Sequence, residues 1–132
     1  MAIVASTRGP QRRQREPKTV DLGDAVGETV AQPAIDRAHL SRYTLADAEL
    51  EREILALFAE QAQHLRRELA SAATPEAWTF ATHSLKGACR AIGAFTAGAC
   101  AERLERVGLD GCTPNLVDDL DSALAAALAE IS

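Results

Sequence analysis

Thr74-Pro75-Glu76-Ala77-Trp78-Thr79-Phe80-Ala81-Thr82-His83-Ser84-Leu85-Lys86-Gly87-Ala88-Cys89-Arg90-Ala91-Ile92-Gly93 is the stretch whose reading decides the fold. It opens with a hydroxyl cap, a proline at the first helical position, where its missing N–H is no loss, and a carboxylate beside the positive end of the helix dipole. Giving each residue about 100° of turn and setting His83 at zero puts Arg90, Thr79, Gly87, Phe80 and Lys86 within roughly 60° of it. Trp78, Ala81, Leu85, Ala88 and Ile92 fall on the opposite side, spaced three and four residues apart. That apolar series is a helix face turned to a core, so His83 points away from it. The helix should stop near Gly93.

Equivalent patterns flank this helix on both sides. Thr44 with Asp47 approximates a capping box and predicts a long helix from Leu45 to about Ala72, with Leu50, Ile54, Leu57, Phe58, Leu65 and Leu69 at helical spacing. Asp36 caps a short helix to about Tyr43 that offers Ile35 and Leu40 to a core. On the other side, Ala94 to about Val107 forms a helix with Gly108 suited to its C-terminal cap, and Thr113-Pro114 repeats the start signal for a last helix to Ile131. Leu116, Leu120, Leu124 and Leu128 line one face of that last helix, and the alanines at 125 to 127 would let it pack closely. No alternating apolar segments or glycine-rich strand connections suggest a sheet. The expected fold is therefore all-α: an antiparallel up-and-down four-helix bundle with a short N-terminal capping helix over residues 33–132.

Composition agrees and sets outer limits. The hydrophobic 47% of the 132 residues is mostly alanine and leucine, with few aromatic or β-branched side chains, which favours helices. No apolar run approaches the roughly 20 residues needed to cross a bilayer, and no signal-peptide pattern opens the chain, so a soluble, cytoplasmic monomer is expected. Cys89, Cys100 and Cys112 are odd in number and lack paired metal spacing; they read as small apolar residues with free thiols, and no metal site is expected.

Charge is unevenly spread. Met1 to Lys18 carries Arg8, Arg12, Arg13, Arg15 and Lys18 against Glu16, a net +4 that leaves −9 on the other 114 residues of a chain whose net charge is −5. Residues 1–32 are expected to form a disordered extension, basic and then acidic, interrupted by Pro10 and Pro17. A basic arm can bind nucleic acid or an acidic membrane, but no aromatic interleaving or second basic patch accompanies it and the body is acidic. The expectation is a solvated extension, with neither nucleic acid nor membrane as partner.

The solvent-facing patch of the central helix gathers an imidazole, an ammonium and a glycine. Lys86, three residues after His83, is near enough to neutralise a phosphoryl dianion held on a ring nitrogen. Gly87 costs a helix interior about 1 kcal/mol relative to alanine. It lies on the His83 face and not the core face, so it favours close approach by another protein over tight helix packing.

The segment resembles the signature of histidine-containing phosphotransfer (HPt) domains, a His-x-x-Lys-Gly core followed by small residues, through His83, Lys86, Gly87 and Ala88 and on through Ala91-Ile92-Gly93-Ala94. The resemblance extends to Glu49-Leu50-Glu51-Arg52-Glu53-Ile54-Leu55-Ala56-Leu57-Phe58 upstream and Cys100-Ala101-Glu102-Arg103-Leu104-Glu105 downstream, about the last hundred residues in all. It implies a phosphorylated nucleophile at His83, charge stabilisation by Lys86 and steric access at Gly87. It also implies a relay between aspartates of receiver domains in response regulators or hybrid sensor kinases. Those partners would bring the magnesium; the bundle would need no cofactor, metal or nucleotide of its own. Thr79, Phe80, Ser84 and Arg90 surround the histidine as partner-binding candidates. Arg90 is equally readable as a solvated charge, and the helix flank could cover Phe80. Glu105 falls where some family members carry glutamine, and a carboxylate cannot donate a hydrogen bond to phosphate. Glu102 and Glu105 can also be read as helix-surface charges, and His39 and His64 as solvated or capping side chains.

Other function classes fit less well. A histidine kinase needs an ATP-binding domain whose motifs are absent, so the protein is expected to be a phosphoryl carrier and not a kinase by itself. Ser84 points about 100° from His83, and no glycine-flanked serine elbow supports a triad hydrolase. The remaining alternative is a noncatalytic helical interaction module.

Overall fold

The computed structural model describes residues 33–131; the extension expected over residues 1–32 lies outside them. Among the described residues five helices follow one another: α1 (Arg37–Thr44), α2 (Ala48–Ser71), α3 (Pro75–Ala91), α4 (Phe95–Gly111) and α5 (Pro114–Ala129). Two or three residues join each pair of long helices, which leaves the chain no room to do anything but reverse. Consecutive helices pack on each other, and Arg66 on α2 reaches Asp121 on α5 through two bonds of 2.6 and 3.0 Å, closing the ring. Among the described residues no helix is long and apolar enough to cross a membrane.

The caps explain where each helix begins. Thr74 accepts from the Ala77 N–H at 3.1 Å with Pro75 in the first turn, as the sequence predicts. The start of α2 differs from expectation. Thr44 is the buried last residue of α1, its hydroxyl bonded to Glu51 at 2.9 Å, and Asp47 caps α2 by accepting from Glu49 and Leu50. Leu45 and Ala46 lie between them in the left-handed region (φ 54° and 63°), so a helix starting at Leu45 is ruled out. On α2 the core positions are Leu55, Phe58, Ala62, Leu65 and Leu69, while Leu57 is exposed. Leu57 and Phe58 lie about 100° apart on the helix, and it is Phe58 that the packing turns inward.

Gly108 departs from helical geometry (φ 75°, ψ 174°), so α4 breaks at the glycine expected to cap it and continues one short stretch to Gly111. Thr113 makes no side-chain cap bond, although Pro114 still opens α5. Helix α5 ends at Ala129, short of Ile131. Leu120 and Leu124 are buried, Leu116 and Leu128 half-buried, and of the three alanines only Ala127 is in the core.

Helix α1 covers one end of the bundle. Ile35 and Leu40 are buried, Asp36 caps the helix through the His39 N–H at 3.1 Å, and its own N–H donates to the Gly93 carbonyl at 2.9 Å. Gly93 has φ 88°, and a Cβ there would meet the Asp36 carbonyl oxygen at 2.7 Å. Glu130, just past α5, accepts from the Ala34 and Ile35 N–H groups at 2.6 and 3.1 Å. The capping segment is thus pinned to the α3–α4 turn and to the end of α5.

Candidate functional site

His83 stands at the middle of α3, on the side away from the core. Helix α3 buries Trp78, Ala81, Thr82, Leu85 and Cys89, with Ile92 buried just beyond its end. Thr82 and Cys89 widen the buried arc beyond the predicted stripe, on the side where α4 lies. The buried Thr82 hydroxyl donates to the Trp78 carbonyl at 2.9 Å, which removes the cost of burying it. Burial pushes the Cys89 thiol up to about 12, with Cys100 contributing, so it is an inert apolar filler. Cys100 is also buried and Cys112 half-buried, and all three thiols are free.

Three contacts fix the register of α3 against α4. The Trp78 indole N–H donates to the Leu104 carbonyl at 2.8 Å inside the core. Arg90 donates to Glu102 at 2.8 Å, its stem lying across Gly98, where a Cβ would come within 3.2 Å of Arg90 Cγ. Between these levels Glu105 faces His83. Its Oε2 is 3.0 Å from His83 Nδ1, and its Oε1 accepts from Lys86 Nζ at 2.8 Å. One carboxylate therefore holds both the imidazole and the ammonium of the patch.

The chemistry of this triplet follows from what each group can do. An ionised carboxylate only accepts, so the Nδ1 atom facing it carries a proton, and in the neutral ring the lone pair is then on Nε2. Lys86 and, secondarily, His83 hold the Glu105 carboxyl below its ordinary range against a weaker opposing effect of burial. It remains an anion at neutral pH. The His83 side chain is 66% exposed while that of Lys86 is only 17% exposed, so the ring projects beyond an ammonium packed beside it. Among the described residues no atom beyond the helix's own backbone lies within 4 Å of where a Gly87 Cβ would sit, so no packing contact there requires glycine.

The remaining candidates divide. Thr79 and Phe80 are exposed, Phe80 by 65%, and with Pro75 and Glu76 they line an open hollow below His83. Arg90 is exposed but engaged with Glu102, which Arg106 also approaches at 3.7 Å, so it is not a simply solvated charge. Ser84 is half-buried beside the patch. Sequence reading underrated Glu102 and Glu105: they are the α4 partners of Arg90 and Lys86. The available signal was a basic pair four residues apart on one helix and an acidic pair three apart on the next. His39 is also not solvated; its ring meets Tyr43 and Phe95 edge-on at 5.0 and 5.1 Å. His64 is exposed.

The sequence model of the Hpt domain matches residues 53–132. Among solved structures, the histidine phosphotransferase ShpA from Caulobacter crescentus is 36% identical, with 74% of this chain and 86% of that one covered and a TM-score of 0.59. The histidine-containing phosphotransfer protein B (HptB) from Pseudomonas aeruginosa PAO1 aligns over 76% of this chain and 93% of its own with a TM-score of 0.68; at 20% identity it speaks to the fold alone. No curated protein matches the chain significantly.

Proposed function

This chain belongs to the Hpt domain family, and from that membership we propose that it relays a phosphoryl group between aspartates of receiver domains through a phosphohistidine at His83. The observation that carries the reading is the exposed His83 ring with Nδ1 tied to Glu105, which leaves Nε2 free as the nucleophile, with Lys86 held on the same carboxylate.

In the transfer, Nε2 attacks the phosphorus of a receiver phosphoaspartate in line. The N–P bond forms as the P–O bond to aspartate breaks, and the electron pair leaves on the aspartate oxygen. The nucleophile is the neutral ring, whose lone pair lies on Nε2 when Nδ1 carries the proton. Positioning and charge stabilisation supply most of the catalysis in such transfers. The receiver brings the aspartate and its magnesium. Lys86 neutralises charge on the phosphoryl oxygens, Gly87 clears their approach, and Thr79, Phe80, Ser84 and Arg90 face or border the docked partner. Discharge to a second receiver reverses the same steps.

The test is to incubate the protein with a phosphorylated receiver domain and follow acid-labile, alkali-stable label on the chain. Label is expected on wild type and absent from His83→Gln. No label from any receiver of the same cell, or full label on His83→Gln, refutes the carrier reading and leaves a noncatalytic interaction module.

A further inference from the structure

Glu105 touches both functional groups of the patch at once, and that double contact has chemical consequences for the phosphorylated state. We infer that Glu105 is a positioning residue that keeps the phosphoryl group on His83 easy to discharge, by holding the Nδ1 proton and by competing for Lys86. The inference rests on the carrier reading above.

The two effects act together. When Nε2 takes the phosphoryl group, the ring gains positive character and its Nδ1–H becomes more acidic. Glu105 Oε2, 3.0 Å away, stabilises that proton in place. Discharge breaks the N–P bond and returns the electron pair to Nε2. With the proton still on Nδ1 the leaving group is a neutral imidazole; without it the leaving group is an imidazolate, a far poorer one. At the same time the Lys86 ammonium lies 2.8 Å from Glu105 Oε1, and the lowered pKa of that carboxyl arises first from this contact. Lys86 can neutralise a phosphoryl dianion only by leaving or sharing Glu105. The Glu105 carboxylate, an anion fixed in the patch, also raises the energy of a stored phosphate through like-charge repulsion. A glutamine of the same shape accepts the Nδ1–H and keeps the geometry, but it lacks the negative charge. A residue acting only to orient the ring would therefore tolerate it.

The experiment loads the full chain with phosphoramidate, a small phosphoryl donor that needs no receiver, and follows loss of acid-labile label after the donor is removed. Glu105→Gln is expected to lengthen the phosphohistidine lifetime about five-fold, equivalent to ~1 kcal/mol at 1.36 kcal/mol per decade. It should also slow discharge to an unphosphorylated receiver. Glu105→Ala, which removes the charge together with the bulk, shifts the lifetime in the same direction and serves if the glutamine variant does not fold. A Glu105→Gln lifetime equal to or shorter than wild type overturns the inference while leaving the carrier reading intact. Absence of any label on wild-type His83, from phosphoramidate and from phosphorylated receivers alike, overturns the carrier reading itself.

Discussion

Replacing Gly87 should raise stability and lower function, a pairing that separates a notch kept for a partner from one kept for packing. Among the described residues nothing beyond the helix's own backbone comes within 4 Å of a Gly87 Cβ, so an alanine there meets no clash with them. Its backbone is helical, and glycine in an exposed helix interior costs about 0.8–1.0 kcal/mol relative to alanine. Gly87→Ala is therefore expected to stabilise the bundle by ~1 kcal/mol, a rise in Tm of about 4–8 °C for a domain of this size. Urea titration with both midpoint and slope measured checks it, since an unchanged slope shows that the compact state is the same. The functional arm uses a larger side chain. Gly87→Leu, one turn from His83, should leave loading from phosphoramidate near wild type and slow loading from a phosphorylated receiver by at least about tenfold, ~1.4 kcal/mol of lost approach. A destabilised Gly87→Ala would mean that the glycine serves packing after all. Wild-type transfer from the receiver to Gly87→Leu would remove the access role.

Lys86→Ala should slow receiver-dependent loading by roughly tenfold while thermal unfolding moves little, because a partly exposed pair such as Lys86–Glu105 is worth about 0–1 kcal/mol; unchanged loading kinetics would strip Lys86 of its role. Gly93→Ala forces a left-handed backbone on a residue with a Cβ and drives it into Asp36, so urea denaturation should report a loss of about 2–3 kcal/mol, with His83 loading from phosphoramidate retained. A loss under about 1 kcal/mol would show that the capping segment shifts freely. The Glu105 carboxyl is held below its ordinary 4.5 in the folded chain, so on acidification the unfolded state takes up this proton first. Its contribution is fully present above that ordinary value and is lost as pH falls through the depressed one. The stability difference between wild type and Glu105→Gln, measured by denaturation at successive pH values, should therefore be flat near neutrality and shift against wild type below about pH 4.5. A shift in favour of wild type on acidification would contradict the ion pairing.

Much of the bundle was legible because helix signals are local. Thr74-Pro75, the Trp78–Leu85–Ile92 stripe and Pro114 each act within one or two turns, and the structure places helices where they point. The misreadings also have local causes. Thr44 and Asp47 are both good caps three residues apart, and only the left-handed pair Leu45 and Ala46 decides that the first belongs to α1 and the second to α2. Leu57 and Phe58 compete for one face, and the angular position of α2 against α3 chooses Phe58.

The sequence by itself determined that His83, Lys86 and Gly87 share one side of one helix, since spacings of three and four residues on a helix leave no alternative. Only the tertiary structure decided what His83 faces. Glu105 lies 22 residues away, and its reach to the ring depends on how far α4 slides along α3. The Trp78–Leu104 bond and the Arg90 stem over Gly98 set that register, and a one-turn shift of about 5.4 Å would take the carboxylate out of hydrogen-bonding range. Helical periodicity carries no information about such sliding, so the carboxylate that faces Nδ1 is a property of the packed helix pair.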